Sequence, residues 1–554
     1  MMSSQSVFRV LLADEIAPQG VAILEEAAGL EVAERGGIDA AELSAIIADY
    51  DALIVRSRTR VTADILQATD RLKVIGRAGV GVDNIDLEVA TRRGVVVLNA
   101  PGGNVVSAAE LTFALMLALV RHLARADASL RAGGWERGRF RGIELYGKTL
   151  GLVGAGRIGS EVAKRARAFG MRVIAYDPYL SRERAERLGI QLVTLPDLLE
   201  ESDVVSIHTP LTDETTGMIG ARELAMLKPT AYLINAARGG VVDEDALAEA
   251  LSEGGLAGAA LDVFAREPVP TGHPLLELDN VLVVPHLGAA TQEAQTGVGI
   301  EICAAVRDAL LTGDFRSAVN APELAGQRNG DLVPLLDLTN RLGRVLGGLA
   351  RGSHRRLEVR LAGHEEALRA VSAAAAQGLL CEVVEGPLTL VNSLHLASER
   401  GLSVSRMWLG AAGAGGEYVE LRLEGADGAL RVAGVLLGSK HPRIARIGEY
   451  RMDIQPRGTI LVLRNRDVPG VIGRVGSVLG EAGVNIAEYH QARREAGGEA
   501  MAAIAVDGVV DRDVIDRLAV MEDIVGVWQI QLPDAMIGTA TTEAEAQVGV
   551  AKRR

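Results

Sequence analysis

The sequence predicts an α/β protein with two doubly wound parallel-sheet domains around a cleft, followed by an α+β domain and a smaller βαββαβ domain. The 554 residues are too many for a single hydrophobic core. Short runs of Val, Leu, Ile and Ala alternate with amphipathic stretches up to residue 290, which is typical of strand–helix units. The pattern changes in residues 458–533, where a strand and a helix precede a hairpin, a second helix and a last strand.

The first predicted unit is a split domain made of residues 1–100 and 291–320. Within it VFRVLLAD, DALIVRS and RLKVIGR are predicted as buried parallel strands. The run NAPGGN that starts at Asn99 is a strong structure breaker and marks the domain crossing. Ser107, with Glu110 three residues on, is the expected N-cap of the next helix. A long helix after residue 290 is predicted to return the chain to this domain.

Residues 101–290 form the second predicted unit, a Rossmann domain. Its six strand candidates alternate with helical stretches and are TLGLVGAG, MRVIAYDP, DVVSIHTP, AYLINAARG, GAALDVFA and VLVVPHLG. Residues 321–457 are predicted as an α+β domain without catalytic features, and residues 458–533 as a domain with the ferredoxin-like order. The tail, residues 534–554, is rich in Ala, Thr and Glu and is expected to be disordered.

Composition excludes several classes of partner. The formal net charge is −14 and aromatic residues make up 3%, so neither a phosphate backbone nor stacked bases suit this chain. No apolar run has the length of a membrane span, and the N-terminus does not resemble a signal peptide. Cys303 and Cys381 lie outside any metal-ligand spacing and are expected to be thiols in a reducing compartment. We therefore expect a cytoplasmic protein with no metal, no nucleic acid and no membrane partner.

A dinucleotide site is predicted at the first strand of the second unit. Gly154, Gly156 and Gly159 form a GxGxxG motif that follows a strand and opens a helix. These glycines permit the turn, the approach of a pyrophosphate and close helix packing, and the helix N-terminus favours the anion. Asp177, at the end of the next strand, can accept hydrogen bonds from the ribose hydroxyls and repel a 2′-phosphate. The cofactor expected from this pattern is NAD, although Asp177 could instead open a turn before Pro178.

Three charged residues follow later strands of the same unit. Arg238, Glu267 and His286 come at or just after strand ends, where ligands of open α/β sheets bind. Oxidation of a 2-hydroxy acid needs a base for the hydroxyl proton, and histidine can take and return it near neutral pH. A carboxylate can hold the imidazole, and an arginine can clamp the substrate carboxylate with two donors. Each residue alone could be a surface or core residue, so the prediction rests on all three.

These segments resemble the D-isomer-specific 2-hydroxyacid dehydrogenases. The similarity lies in GKTLGLVGAGRIG, HTPLT, NAARGGVVDEDAL, GAALDVFAREP and VPHLGAAT. The resemblance implies that Arg238, Glu267 and His286 are the catalytic set of an NAD-dependent oxidoreductase. It also implies a set of cofactor contacts, which are Gly154, Gly156, Arg157, Ile158, Gly159, Asp177, Thr209, Ala236, Arg238, Asp262, His286 and Gly288.

Within that family, VRSRT, IGRAGVGVDNID, NAPGGN and SAAE are similar to the phosphoglycerate-oxidising members. This implies a substrate pocket lined by Arg56, Ser57, Arg77, Gly79 and Asn104, and oxidation of 3-phospho-D-glycerate to 3-phosphohydroxypyruvate, the first step of L-serine biosynthesis. Two guanidinium groups suit a phosphate and a carboxylate, although Arg56 and Arg77 could also form ordinary ion pairs at strand ends. The alternatives are another D-2-hydroxy acid, such as 2-hydroxyglutarate or glycerate, or an NAD-sensing binding protein of the same fold.

The resemblance continues beyond the catalytic half. RVAGVLLGSKHPRI and RGTILVLRNRDVPGVIG are similar to the long-form members, which carry an intervening domain and a regulatory ACT domain. It implies that Asp467, Gly470 and Asn485 bind a serine effector at a subunit interface, although the ACT domain could serve assembly alone. GGWERGRFRG is similar to the subunit-contact segment of the family, so a homo-oligomer, a dimer or a tetramer, is expected.

Overall fold

The computed structural model describes residues 7–321, 329–384, 386–425, 428–438 and 440–532. The described residues form four β-sheets with helices packed between them. Two of the sheets are parallel, one is mixed and one is antiparallel. The predicted fold class is thereby confirmed. The predicted disordered tail lies outside the described residues.

The first sheet is parallel and has the strand order β2-β1-β3-β4-β5. Its strands are β1 (Phe8–Leu12), β2 (Leu30–Glu34), β3 (Ala52–Val55), β4 (Val74–Arg77) and β5 (Val96–Asn99). Its helices are α1 (Pro18–Glu25), α2 (Ala40–Ile46), α3 (Ala63–Gln67) and α4 (Leu87–Arg92). The structure has the three strands that the sequence pattern predicts, and β2 and β5 in addition. The residues of β3 are fully buried, because helices cover both faces of a parallel sheet.

The second sheet is also parallel, with the order β12-β11-β10-β9-β6-β7-β8. Its strands are β6 (Thr149–Val153), β7 (Arg172–Tyr176), β8 (Gln191–Leu192), β9 (Val204–Ile207), β10 (Tyr232–Asn235), β11 (Gly258–Leu261) and β12 (Val281–Val283). Its helices are α5 (Val105–Val120), α6 (Leu123–Arg131), α7 (Arg157–Ala168), α8 (Arg182–Leu188), α9 (Leu195–Glu201), α10 (Ala221–Leu224) and α11 (Glu244–Ser252). All six predicted strands are present, and the strand order reverses next to β6. A crevice at such a reversal is where ligands bind in this architecture.

Helix α5 begins differently from the sequence prediction. The helix starts at Val105 with Asn104 as its N-cap, and Ser107 lies inside its first turn. The Ser107 hydroxyl instead donates to the carbonyl oxygen of Gly288, 2.9 Å away. The capping-box prediction is therefore wrong, because this hydroxyl has a partner on a distant loop. In the described part of the chain, no single helix is long and apolar enough to cross a bilayer; only α5 and α6, bent by 60° from each other, pass jointly by length and composition.

Helix α12 (Gln292–Thr312) returns the chain to the first sheet. Val298, Ile302 and Val306 on this helix belong to the same buried cluster as the strands of that sheet. The helix comes so close to α1 that a Cβ on Gly20 would lie 2.6 Å from the carbonyl oxygen of Gly299. This packing is the arrangement expected of a split first domain, whose exact boundaries stay a prediction.

The last two sheets form the remainder of the chain. The mixed sheet has the order β14-β13-β15-β16-β17-β18, and the antiparallel sheet has the order β20-β21-β19-β22. Their strands are β13 (His354–Ala362), β14 (Ser403–Gly410), β15 (Glu417–Gly425), β16 (Gly428–Leu437), β17 (His441–Ile447), β18 (Tyr450–Ile454), β19 (Gly458–Arg466), β20 (Ile486–Arg493), β21 (Glu499–Val506) and β22 (Ile524–Leu532). Their helices are α13 (Asn329–Leu349), α14 (Leu368–Leu380), α15 (Ser393–Glu399), α16 (Val471–Glu481) and α17 (Arg512–Ala519). The second of these units has the predicted βαββαβ order.

Candidate active site

The turn between β6 and α7 has room for a ligand that is not part of the chain. Gly154 has a φ of +91°, and a Cβ on Gly159 would lie 2.5 Å from the Gly154 carbonyl oxygen. These two glycines are therefore required by the turn and by the helix that packs on it. A Cβ on Gly156 would meet no atom within 4 Å. The chain itself leaves space at Gly156, as expected if a pyrophosphate approaches the backbone there.

The surroundings of this turn also fit a dinucleotide. Asp177 follows β7, and its two carboxylate oxygens accept hydrogen bonds from the backbone nitrogens of Ala155 and Tyr179, both at 2.9 Å. The carboxylate is thus held at the glycine turn with lone pairs left for ribose hydroxyls. The hydroxyl oxygen of Thr209, after β9, is buried without a hydrogen-bond partner among the described residues. A buried polar atom of this kind calls for a partner, which a bound cofactor would supply.

The other predicted cofactor residues lie along the same edge of the sheet. Arg157 and Ile158 open α7, and Ala236 directly follows β10. Asp262 follows β11, and its buried carboxylate accepts hydrogen bonds from the backbone nitrogens of Leu287 and Gly288. Burial raises the pKa of Asp262 to about 6, although the two backbone donors act in the opposite direction and lower it. Asp262 therefore fixes the turn that carries His286.

His286 and Glu267 form a hydrogen-bonded pair, as the sequence predicts. The His286 Nδ1 atom lies 2.7 Å from a carboxylate oxygen of Glu267. The other carboxylate oxygen accepts from the Phe264 backbone nitrogen at 3.1 Å. His286 has a φ of +53°, which is uncommon for residues other than glycine, and its backbone nitrogen donates to the carbonyl oxygen of Asp262. With Nδ1 engaged by Glu267, Nε2 is the atom left to exchange a proton with a substrate.

Arg238 reaches from the second sheet to the first. Its Nε atom lies 3.3 Å from a carboxylate oxygen of Asp83, in the loop after β4. A Cβ on Gly81 would lie 2.1 Å from a guanidinium nitrogen of Arg238. The side chain therefore spans the cleft between the two parallel sheets. Asp83 was not singled out from the sequence, because its contact with Arg238 depends on how the two sheets face each other.

Arg77 adds a second guanidinium group to this cleft. Burial, and then the charge of Arg238, lower the pKa of Arg77 to about 10, so it is still charged at neutral pH. Its Nε atom is buried without a hydrogen-bond partner in the described part of the chain. A Cβ on Gly79 would lie 1.5 Å from the guanidinium group of Arg77. Any residue larger than glycine at position 79 would therefore displace the Arg77 side chain. An incompletely paired, buried cation is a ready partner for an anionic ligand.

The remaining predicted substrate residues surround the same loops. Arg56 follows β3, and its backbone nitrogen donates to Asp14 at 2.6 Å while its guanidinium group acts electrostatically on Arg77. Ser57 is exposed at the start of the next loop. The side-chain oxygen of Asn104 is buried without a hydrogen-bond partner among the described residues. The structure thus brings Arg56 and Arg77 together, and it leaves the Asn104 amide oxygen without a hydrogen-bond partner at the start of α5.

The three predicted regulatory residues do not meet within one chain. Asp467 follows β19 and pairs with Arg493 at 2.9 Å, and Asn485 precedes β20 and donates to Asp507 at 2.7 Å. The strand register places Asp467 and Asn485 at opposite ends of the sheet, roughly 25 Å apart for eight residues of strand. Gly470, with a φ of +90°, caps α16 near Asp467. A single ligand could contact both ends only where two copies of the chain meet.

Comparison with known proteins agrees with this architecture. Residues 113–288 match the family described as D-isomer specific 2-hydroxyacid dehydrogenase, NAD binding domain. Residues 331–448 match the D-3-phosphoglycerate dehydrogenase intervening domain, and residues 459–523 match the ACT domain. The implied NAD-binding oxidoreductase domain is therefore confirmed by the first match.

Similar proteins extend over nearly the whole chain. D-3-phosphoglycerate dehydrogenase of Synechocystis sp. is 40% identical over 96% of this chain and 96% of its own length. The protein of the same name from Bacillus subtilis is 38% identical over 95% of this chain and 100% of its own. Among solved structures, the TT0316 protein of Thermus thermophilus is 40% identical, with a TM-score of 0.51, over 56% of this chain and 99% of its own. The chain therefore belongs to the D-isomer-specific 2-hydroxyacid dehydrogenases, in the branch that carries an intervening domain and an ACT domain.

Proposed function

We propose that this chain oxidises 3-phospho-D-glycerate to 3-phosphohydroxypyruvate with NAD, the first step of L-serine biosynthesis. The observation that carries the proposal is the meeting of Arg77 and Arg238 in one cleft, beside the loops that hold the His286–Glu267 pair. Two cations suit a substrate with a carboxylate and a phosphate at opposite ends. The names of the curated relatives support the same substrate.

The proposed roles follow from the contacts of each side chain. Arg238 holds the substrate carboxylate, and Arg77 with Arg56 faces the phosphate. Held at the glycine turn beside Asp177, NAD would supply the acceptor for the hydride that leaves C2 with the electron pair of the C2–H bond. His286 takes the hydroxyl proton on Nε2 as the C2–O double bond forms, and Glu267 holds the resulting imidazolium through Nδ1. The products are the keto acid, NADH and a proton, which His286 then releases to solvent.

A substrate panel tests the proposal. NADH absorbance would be followed with purified protein, NAD and 3-phosphoglycerate, glycerate, lactate or 2-hydroxyglutarate, and with the keto acids and NADH in reverse. Turnover of the phosphorylated pair alone is expected. Turnover of another acid would retain the catalytic trio and remove the phosphate role of Arg56 and Arg77. Binding of NAD without any turnover would favour an NAD-sensing binding protein.

We also propose that the working form is a homo-oligomer. The segment from α6 to residue 140 exposes apolar side chains, with Trp135 at 79%, Leu130 at 56% and Leu123 at 54%. Apolar side chains exposed together in this way favour a protein contact. Light scattering on the full chain would measure the mass, and Trp135→Ala should lower it if this segment is the contact. A monomeric wild-type chain would contradict the proposal.

Serine is the proposed effector of the ACT domain. Asp467 supplies a carboxylate for an amino group, and Asn485 supplies an amide for polar groups of the ligand. Since these residues lie at opposite ends of the sheet in one chain, the proposed site needs the ACT domains of two copies. Isothermal titration of the full chain with L-serine, with D-serine as the control, would measure binding. Equal heats for both enantiomers would contradict it.

The cytoplasmic location is proposed on the state of the thiols. Cys303 and Cys381 are both free, and burial raises the pKa of the Cys303 thiol to about 12. A thiol with such a pKa is inert toward oxidation, and free thiols are typical of a reducing compartment. Cell fractionation that found the protein in an oxidising compartment would contradict this location.

A further inference from the structure

A second histidine–carboxylate pair lies next to the catalytic one. Glu244, the first residue of α11, places one carboxylate oxygen 3.1 Å from the Nε2 atom of His273. Its other carboxylate oxygen accepts a hydrogen bond from the Ala265 backbone nitrogen at 2.6 Å. Both side chains are largely buried, at 14% and 13% exposure. The pair ties the start of α11 to the loop that carries Glu267.

The hydrogen bonds of His273 define its tautomer. The Nδ1 atom accepts from the Leu275 backbone nitrogen at 3.4 Å, so it carries no proton. The single ring proton is therefore on Nε2, where it is donated to Glu244. A neutral imidazole satisfies both contacts, and Glu244 is left as a carboxylate with two donors. Replacement of Glu244 by an amide would place a second donor opposite Nε2 and break this match.

The loop fixed by this pair also contacts the other catalytic residues. The Phe264 backbone nitrogen donates to Glu267, and the Phe264 ring stands edge-on to His273, with ring centres 5.7 Å apart. A Cβ on Gly239, next to Arg238, would lie 2.0 Å from the Phe264 carbonyl oxygen. Residues 264–267 are therefore enclosed between the turn at Arg238 and the carboxylate of Glu244. A shift of this loop would move Glu267 relative to His286.

We propose that Glu244, oriented by His273, is a positioning residue for Glu267 in the hydride-transfer reaction. The inference rests on the proposed function, since the effect is expected in turnover. Glu244 acts through the backbone of Ala265 and Phe264 and touches no reacting atom. Its loss lets Glu267 leave the Nδ1 side of His286 while the glycine turn and the arginine cleft stay in place.

The first test separates turnover from binding. Glu244→Ala should lower kcat about tenfold to a hundredfold, the order expected when a catalytic group is misplaced by a fraction of an ångström to one ångström. KM for 3-phosphoglycerate and the dissociation constant of NADH should stay within about twofold, because their proposed contacts lie elsewhere. Glu244→Gln retains an oxygen acceptor for the Ala265 backbone nitrogen and should lower kcat less than Glu244→Ala does. Glu249→Ala, an exposed position on the same helix, is the matched control and should leave kcat unchanged.

A double-mutant cycle with Glu267→Gln separates positioning from a general structural role. If Glu244 acts through Glu267, then Glu244→Ala should lower kcat by no more than about twofold once Glu267 is already replaced, against about tenfold to a hundredfold in the wild-type background. Equal losses in both backgrounds would overturn the proposal, as would an unchanged kcat in Glu244→Ala alone. The isosteric glutamine keeps the cycle usable if the alanine variant does not fold, which thermal melting would show. An inactive wild-type chain would instead contradict the proposed function.

Discussion

The Rossmann sheet and the ACT sheet both carry residues that the sequence assigns to ligand binding, and the structure arranges the two sets differently. In the Rossmann sheet, Arg238, Glu267 and His286 follow three adjacent strands and lie at one edge of the sheet within a single chain. In the ACT sheet, Asp467 and Asn485 lie at opposite ends of the strands. The first set can meet one ligand within a single copy, whereas Asp467 and Asn485 could contact one ligand only between two copies.

The difference has a topological cause. In a parallel sheet all carboxyl ends lie on one side, so residues that follow different strands converge there. In the ACT sheet, β19 and β20 both pair antiparallel with β21 and therefore point the same way. Asp467 follows β19 whereas Asn485 precedes β20, so the two residues lie at opposite ends of the sheet. The three catalytic candidates all follow their strands and can converge in one chain, whereas the proposed serine site would combine residues from the two ends of two ACT sheets.

The largest expected effect is on the catalytic side of this comparison. His286→Ala should lower kcat about a thousandfold, within the range that general acid–base catalysis contributes. The dissociation constant of NADH should change little, because the glycine turn and Asp177 are untouched. Steady-state kinetics and NADH fluorescence titration would measure the two quantities. An equal loss of turnover and cofactor affinity would show that His286 maintains the fold of the site and is not the base.

The second prediction contrasts the pH dependence of two carboxylates. Burial raises the pKa of Asp262 from 3.8 to about 6, so between these values the folded state binds more protons than the unfolded state. The free energy of unfolding should therefore fall as the pH rises from 4 to 7, by up to about 3 kcal/mol for this group. Urea unfolding of the wild type against Asp262→Asn isolates the contribution.

Asp467 should show the opposite sign. The hydrogen bond from Arg493, and then the Gly497 backbone, lower the pKa of Asp467 below 3.8. A carboxyl group whose pKa is lower in the folded state stabilises that state at pH values above its unfolded pKa of 3.8. This contribution is lost as the pH falls through the lowered pKa of the folded state. Asp467→Asn measured in the same way provides the contrast. For each variant, the quantity to compare is the change that the substitution makes in the pH dependence of the unfolding free energy. If this change had the same sign for Asp262→Asn and Asp467→Asn, burial could not be the dominant effect on the pKa of Asp262.

The third prediction concerns the arginine cleft. Arg77→Ala should lower kcat/KM for 3-phosphoglycerate about tenfold to a hundredfold, the value of one charged hydrogen bond of roughly 1.5 to 3 kcal/mol. For D-glycerate, which lacks the phosphate, the loss should be much smaller. The exposed Arg60, in the loop after β3 that also carries Arg56, offers a control, since Arg60→Ala removes one positive charge from the first domain. Similar losses for both substrates would place Arg77 against the carboxylate or in the fold.

The features that could be predicted from the sequence are those formed by residues close together along the chain. The glycine turn lies within six residues, and Arg238, Glu267 and His286 each follow a strand that the apolar pattern shows. The two-residue edge strand β8 is too short for such a pattern, and the interior of β2 includes Glu31 between half-exposed neighbours. These strands were missed because their periodicity is weak.

Contacts between distant segments were not predictable from the same text. Asp83 meets Arg238 only because the two sheets face each other across the cleft. The Glu244–His273 contact joins positions 29 residues apart. The hydroxyl of Ser107 was interpreted as a local cap, whereas it donates to Gly288 across 181 positions. A sequence-based prediction is weakest for polar residues whose side chain can bind either a nearby backbone group or a partner far away along the chain.

The smallest expected effect is also the sharpest test of the comparison. Asp467→Ala and Asn485→Ala should each abolish inhibition by serine when tested alone, because every proposed site then lacks one ligand residue. In a mixed dimer one site combines both substitutions, and the other combines an intact Asp467 from one copy with an intact Asn485 from its partner. About half of the dimers in an equal mixture are mixed, so about a quarter of the wild-type sites should return.

Serine titration of the two variants before and after subunit exchange would measure this return, with each variant mixed with itself as the control. Partial recovery of inhibition requires that the two residues contact one ligand from different chains, which the strand register demands if they share a ligand at all. No recovery after demonstrated exchange would mean that Asp467 and Asn485 do not form one site. The ACT sheet would then serve assembly alone, and the contrast with the Rossmann sheet would be one between a catalytic surface and a structural one.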